Sequence, residues 1–317
     1  MRFTFLGTGT SSGVPAIGCT CAVCTSTDPK DNRLRSGAAI RFADRDGKPR
    51  TVLIDTTPDL RQQALRFGVD RCDAILFTHN HVDHTFGLDE VRRYNAMQKH
   101  PIDIYAEEHT LDFLKGVFRY IFDRDANVND SFVAHLIPWV IKPGEVIDLW
   151  GLKVTPIRLL HGHLPIVGFR FDGEGIRASR DQGVVRSEVE RMNAGSQTSG
   201  QVENLPHADG EDAEASPFPL AYCTDVSAVP PESWSVLRGL QTLVIDALRH
   251  RKHPTHLTVS QALDVVERVR PRVAYFTHIS HDLGHAETEK ELPEGVHMAF
   301  DGLTLGDERA SEPGDMT

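Results

Sequence analysis

The sequence predicts an α/β chain in which two packed β-sheets are covered by helices. Three observations lead there. Short β-like runs come in two successive blocks, and each block is followed by helical segments. The chain has 317 residues, 40% hydrophobic and 25% charged, an ordinary globular composition with enough length to bury a core. Several of the apolar runs also end in a histidine or an aspartate, which marks one end of the strands as chemically special.

Taken in order, Phe3–Leu6 reads as the first strand and runs into the Gly-rich loop Gly7–Gly13. That loop lacks the Lys-Ser/Thr of a phosphate-binding loop and the spacing of a dinucleotide fingerprint, so its glycines are read as allowing a tight turn or a close backbone approach. Ala38–Phe42 and Thr51–Ile54 form a hairpin around Asp44-Arg45-Asp46-Gly47. Asp59–Phe67 is expected to be helical, Ala74–Phe77 a strand, Phe86–Gln98 a helix, Ile102–Tyr105 a strand and Leu111–Phe122 a helix. The second block begins with Val146–Leu149 and Leu152–Leu160, which alternate like a hairpin, and continues with Ile166–Phe171 and Leu220–Thr224. Leu243–Ala247, Ser260–Val269 and Val273–Thr277 give strand, helix, strand, and Val296–Ala299 with Leu303–Leu305 close the block. Asp172 to about Pro219 is rich in Gly, Ser, Glu and Asp, and reads as a polar surface insertion, with a short helix near Ser187–Met192. The expectation is one domain over residues 1–306 carrying this insertion, with a disordered tail at 307–317.

The chemistry concentrates in Phe77-Thr78-His79-Asn80-His81-Val82-Asp83-His84, the pattern H-x-H-x-D-H directly after an apolar strand. Imidazole and carboxylate suit zinc, iron or manganese, and four such groups exceed what one catalytic metal with an open position needs. Three further residues follow β-like runs: His161, Asp225 and His278. His163 rivals His161, which directly follows its strand. A second cluster, Cys19-Thr20-Cys21-Ala22-Val23-Cys24, has the spacing of a soft-metal site, or of reduced thiols; Cys72 and Cys223 read as core residues.

Other features exclude whole classes. A formal net charge of −11 argues against a general nucleic-acid surface. The first residues are interrupted too soon by glycine to be a signal peptide, no apolar run approaches a membrane span, and five cysteines make a poor disulfide framework, so a cytoplasmic protein is expected.

The order H-x-H-x-D-H, then His, Asp and His after later strands, resembles the metallo-β-lactamase-fold hydrolases. The resemblance implies an αββα sandwich of two mixed β-sheets flanked by helices. It implies two divalent metals, zinc or manganese: one on His79, His81 and His161, the other on Asp83, His84 and His278, with Asp225 bridging. The Cys loop, Thr277-His278-Ile279-Ser280-His281, the opening L-G-T-G-T-S-S-G-V-P and the closing Phe300-Asp301-Gly302 are similar to one subgroup. That subgroup includes the phosphoribosyl 1,2-cyclic phosphate phosphodiesterase of the carbon–phosphorus lyase pathway. From it follow a structural zinc on Cys19, Cys21, Cys24 and His281, His256 as general acid with His250 and His253 as rivals, and a homodimer. The expected activity is hydrolysis of a small cyclic or linear phosphodiester, with a water activated by two metals and oriented by Asp83. Arg92 or Arg93 is a candidate for a substrate phosphate. The alternatives are a tRNA 3′-end processing endonuclease, whose basic arm the acidic insertion does not match, a thioester or lactam hydrolase, and a metal-stabilised binding protein.

Overall fold

The computed structural model describes residues 1–127, 131–173 and 216–306. The expected helix near Ser187–Met192, most of the polar insertion and the 307–317 tail lie outside these residues.

Two seven-stranded sheets form the centre. The first contains β1 (Arg2–Gly7), β2 (Gly37–Ala43), β3 (Pro49–Ile54), β4 (Ala74–Leu76), β5 (Ile102–Ala106), β6 (Leu136–Val140) and, at the far edge beside β1, β14 (Thr304–Leu305). The second runs β13 (Val296–Met298), β12 (Val273–Thr277), β11 (Thr242–Asp246), β10 (Leu220–Cys223), β9 (Leu164–Asp172), β8 (Leu152–His161) and β7 (Ile147–Leu149). Both are mixed, and the expected two-sheet sandwich is borne out.

Alternation explains how the central strands are buried on both faces. Ala38, Ile40 and Phe42 of β2 point to the inter-sheet core, where they meet Val154, Phe169, Phe171 and Tyr222 of the other sheet. Ala39 and the other odd-phase residues of the first sheet, Leu53 and Ile75, face outward. There they pack on helices α1 (Leu60–Arg66), α3 (Arg92–Gln98) and α4 (Glu108–Val117) through Leu60, Tyr94, Leu111 and Leu114. On the far side, α6 (Val259–Val269) lays Val259, Ala262 and Val265 against Ala221, Leu243 and Ala274 of the second sheet. A spacing of three residues keeps those side chains on one face of an amphipathic helix. The remaining helices are α2 (Val82–Thr85), α5 (Arg119–Phe122) and α7 (His285–Glu291).

Three expectations needed adjustment. The helix expected over Phe86–Gln98 is interrupted: α2 ends before Gly87, a 3-10 turn covers Leu88–Val91, and α3 follows. Gly87 donates its N–H to Thr56 O at 2.8 Å, and a Cβ there would stand 2.1 Å from Thr57 O, so the chain is bound to the β3 end instead of continuing a helical ladder. The helix expected at Leu111–Phe122 starts at Glu108 and breaks at Phe118 into α4 and α5. Strand β6 has no counterpart among the expected elements; it contains Pro138 and lies at the sheet edge, where a missing N–H is tolerated.

Strand directions place the chemistry. β3 and β4 are parallel, as are β10, β11 and β12. β8 and β10 are both antiparallel to β9 and so point the same way. The C-terminal ends of β8, β10, β11 and β12 therefore lie along one edge of the second sheet. Val167 N–H donates to Thr78 O at 3.0 Å, which brings the end of β4 in the first sheet to that edge.

Candidate metal centre

His79 and His84 of the H-x-H-x-D-H segment, and His161 at the end of β8, each have one ring nitrogen already committed. Thr78 Oγ1 donates to Asp55 Oδ2 at 2.9 Å and lies 2.9 Å from His79 Nδ1, so His79 Nδ1–H donates to that hydroxyl. His84 Nδ1 donates to the same Asp55 oxygen at 2.8 Å. His161 Nδ1 donates to Thr255 O at 2.8 Å. In all three the Nε2 lone pair is left over. A partner on the far nitrogen is what fixes tautomer and ring direction in metal-binding histidines.

The leftover atoms converge. His79, His81 and His161 offer ligand atoms within 4.8 Å of one another, as do His79, His84 and Asp225, and Asp83, Asp225 and His278. Asp225 stands in both of the last two groups. His84 Nε2 is 3.3 Å from Asp83 and 3.2 Å from Asp225, and His278 Nδ1 is 3.2 Å from Asp225. Yet the Nε2 atoms of His79 and His84 and the Nδ1 of His278 are buried with no hydrogen-bond partner. Two ligands each about 2.0–2.2 Å from one tetrahedral metal stand roughly 3.3–3.6 Å apart. The orphaned nitrogens and their spacing from the carboxylates therefore fit divalent metals held between them, with a nitrogen and oxygen donor set that suits zinc or manganese.

Without a metal the cluster balances charge through protons. Burial, together with the neighbouring His84 charge, pushes the His79 imidazole well below its ordinary range, and burial takes His278 to about 3. Burial also lowers His161. It works against a charge on His84 too, but Asp225, Asp55 and Asp83 outweigh it and raise that imidazole well above the ordinary value. Burial opposes the Asp225 carboxylate, and His278 with His84 hold it well below the usual range nonetheless. A metal on His84 Nε2 would replace that proton beside Asp83 and Asp225, with Asp55 remaining on Nδ1.

His256 adjoins the cluster. Its ring stacks on His278 with centroids 4.7 Å apart and meets His161 edge-on at 4.7 Å. Its Nδ1 donates to Asp246 Oδ2 at 2.7 Å. Burial is the largest single influence and disfavours the imidazolium, but the Asp246 hydrogen bond and the charges of Asp246, Asp225 and Asp83 together outweigh it and raise His256, while burial raises Asp246 itself to about 7. A cavity of about 330 Å³ opens beside this ring.

The thiol loop closes at a second place. Cys19 Sγ and Cys21 Sγ each lie 3.3 Å from His281 Nδ1, and with Cys24 the four donors are all within 4.8 Å. The Cys24 N–H and then His281 lower Cys21 to about 6. Sulfur and imidazole in this arrangement suit a closed zinc site. The segments on either side of the thiol loop are also held to the C-terminal part of the fold. Thr10 N–H donates to Ile279 O and Ile279 N–H to Thr8 O, at 3.1 and 2.8 Å. The buried Arg33 donates to Ser280 O at 3.1 Å and to Asp31 at 2.9 Å. Buried Asp301 accepts from Thr8 N, Thr8 Oγ1 and Leu34 N. The glycines serve the close approach expected of them: a Cβ on Gly7 would stand 2.0 Å from Arg35 O.

The structure thus gathers all seven residues of the expected cluster and all four of the thiol set. His163 stays exposed on the cavity wall while His161 enters the cluster. Arg92 and Arg93 are not part of it. Arg92 pairs with Asp89 at 3.3 Å on the surface, and Arg93 lines a separate groove with Leu60, Tyr94 and Met97. Cys72 and Cys223 are core residues, as expected. Sequence reasoning passed over Asp55 and Asp246. Each is a carboxylate closing an apolar strand run, the same signal that marked Asp225.

Among the described residues no helix is long and apolar enough to cross a membrane. The sequence profile of the beta-lactamase superfamily domain matches residues 50–181 and 213–279. The octanoyltransferase of Porphyromonas gingivalis is 32% identical over 305 residues, 96% of this chain and 51% of that protein. The chain therefore spans about half the length of that curated relative. The ribonuclease Z of Halalkalibacterium halodurans is 25% identical over 329 residues, 95% of this chain and 94% of that protein. Among solved structures, a diphosphatase from the PhnP family is 39% identical with a TM-score of 0.74, covering 96% of this chain and 97% of its own. The profile covers more than half of the chain and takes in six of the seven clustered histidines and aspartates from His79 to Asp225 as well as His278 near its end, and on that match the chain belongs to the beta-lactamase superfamily.

Proposed function

We infer that the chain is a metal-dependent phosphodiesterase acting on a small cyclic or linear phosphodiester. One observation carries this reading: a cluster of orphaned, outward-braced imidazole nitrogens and carboxylates lies directly against a histidine whose own Nδ1 is held by a buried aspartate. The similarity to a PhnP-family diphosphatase over nearly the whole chain supports phosphoester chemistry. The octanoyltransferase name belongs to a protein of about twice this length, so it does not direct the reading.

When bound, two divalent ions on His79, His81, His161, Asp225, Asp83, His84 and His278 supply a lowered water pKa and charge stabilisation. The chain's own residues do the rest. Water oxygen bonds to phosphorus and the ester P–O bond breaks. Asp83 takes the water proton and passes it to solvent. His256, held upright by Asp246, delivers its Nε2 proton to the departing oxygen. Asp55 and Thr78 keep the His79 and His84 rings from turning. A zinc on Cys19, Cys21, Cys24 and His281 would pin the loop that carries His278. A homodimer belongs to the same reading and is supported by the resemblance drawn from the sequence; a cytoplasmic location is supported by the poor disulfide framework of five cysteines.

Hydrolysis of bis-p-nitrophenyl phosphate with zinc or manganese tests it. His81→Ala is expected to lower kcat by at least about 100-fold, the loss of a metal ligand or its support. Activity retained without that imidazole would sink the assignment. The match to ribonuclease Z favours a second reading, tRNA 3′-end cleavage. Cleavage of a precursor tRNA faster than any small diester would establish it instead.

A further inference from the structure

His278 differs from the other clustered histidines in what stands behind its ring. His84 is backed by the Asp55 carboxylate, His79 by Thr78 beside it, and His161 by a backbone carbonyl. Behind His278 stands a hydroxyl from the opposite end of the chain. Its Nε2 lies 3.3 Å from Thr10 Oγ1, and both residues are buried. Thr10 belongs to the Gly-rich loop that follows β1, a segment in which no metal ligand lies.

That hydroxyl is fixed through both peptide groups of its residue. Thr10 N–H donates to Ile279 O at 3.1 Å, and Thr10 O accepts from Gly13 N–H at 2.8 Å. Gly13 has a φ of 65°, the left-handed backbone that closes this turn. Ile279 N–H in turn donates to Thr8 O at 2.8 Å, so Thr8 and Thr10 clamp the residue directly after His278. His278 itself has a φ of 58°. A non-glycine residue keeps that conformation only where its surroundings hold it. The ring is held too. His256 stacks on it with an interplanar angle of 14° and fixes its plane. Stacking does not decide which edge faces the carboxylates, because a half-turn about the Cβ–Cγ bond leaves the plane unchanged. Thr10 does decide it: the half-turn would put Cε1 in place of Nε2 and lose the bond. With Nε2–H donating to Thr10, the Nδ1 lone pair is left on the other side, 3.2 Å from Asp225 Oδ2, buried and without a hydrogen-bond partner.

We propose that Thr10 is a positioning residue for the ion expected at Asp83, His84 and His278: its hydroxyl holds the His278 ring so that Nδ1, and not the carbon edge, is turned to that ion. The proposal rests on the two-metal reading of the site and deepens it. It gives the Gly-rich loop a part in retaining one ion of the pair. It gives the loop no part in the ion at His79, His81 and His161, where His79 and His161 have braces of their own. Removing the hydroxyl therefore acts on one metal position and spares its neighbour, which a general loosening of the fold does not do.

The test follows metal binding by the full chain rather than turnover. The thiol set is first filled with one equivalent of zinc, for which sulfur is the preferred donor. Mn(II) is then titrated in and followed by electron paramagnetic resonance. An isolated Mn(II) gives a six-line spectrum, and two adjacent ions give an exchange-coupled one. Wild type is expected to pass from the first spectrum to the second as the second ion binds. In Thr10→Val, which keeps the shape and removes the hydroxyl, the first ion is expected to bind as in wild type. The coupled spectrum is expected there only at free manganese higher by about 10-fold or more, the usual effect of losing a ligand's outer partner. Thr10→Ser, which keeps the hydroxyl and drops the methyl, is expected to behave as wild type. A second ion held equally well by Thr10→Val overturns the proposal while the two-metal reading stands. Equal weakening of both ions overturns it as well, since that is loss of structure and not of one brace. A wild-type chain that never shows the coupled spectrum removes the two-metal reading, and the proposal with it.

Discussion

An imidazole presents two nitrogens, and in this chain the residue on the outer nitrogen decides what the inner one can do. Asp55 serves two rings, His84 directly and His79 through Thr78 Oγ1. Asp55→Asn is expected to weaken metal retention by about 10–100-fold, measured by competition with a chelator, although Asp55 belongs to none of the candidate ligand groups. Asp246 does the same for His256, with a consequence in pH. Its carboxylate favours the imidazolium and raises His256, so the acid form persists above the ordinary imidazole range. Loss of the acid form gives the alkaline limb of the kcat/KM profile. In Asp246→Asn the carboxylate charge is gone, the His256 value falls, and the limb is expected to move to lower pH. A limb that stays in place would remove His256 from the proton-donor role. The gathered residues were legible one by one because each closes or follows an apolar run. Their braces were not. A carboxylate at a strand end looks the same in sequence whether it faces the cluster, as Asp225 does, or stands behind it, as Asp55 and Asp246 do; only the packing of β3 beside β4 and β10 beside β11 separates the two.

Among the elements, α6 shows how local chemistry supports the site. Thr258 caps it: the side chain accepts from Gln261 N, and Gln261 returns a bond to the Thr258 N–H. The loop ahead of the cap holds Thr255 and His256. Thr258→Ala is expected to cost about 1 kcal/mol of unfolding free energy in a denaturant titration, the usual worth of such a cap. This helix was readable because its apolar period is clean. The helix expected after the metal motif was not, since the interruption at Gly87 comes from a contact with β3, some thirty residues earlier in the chain, and not from local propensity. β6 is the opposite case: Pro138 argues against a strand locally, and only its edge position makes the strand acceptable.

At the scale of the molecule, two sheets aim strand ends at one edge, and a separate thiol set fastens the two ends of the described chain to each other. Cys21→Ser is expected to lower zinc content by about one ion per chain and to lower Tm, as the loss of a structural metal does. Unchanged zinc by mass spectrometry under native conditions would reject a zinc there. The two-sheet architecture was legible from strand blocks alone. The closure between the ends was not, because nothing in the local pattern of Thr8, Arg33 or Asp301 announces a partner on the other side of the fold.

That closure has a consequence for how the chain is made. Thr8 waits for Asp301, 293 residues later, and Cys19 for His281, 262 residues later. Ribosomal synthesis delivers the N-terminal partners first, at about 5–20 residues per second, so they spend on the order of tens of seconds without counterparts. Through that interval the thiol loop lacks its histidine, β1 lacks the β14 edge, and the cluster around Asp225 lacks His278. Both candidate metal sets therefore stay incomplete until His278 and His281 have been made. A ribosome-stalled chain ending at Thr277 is expected to retain neither metal set through a desalting column, whereas the released full chain retains both.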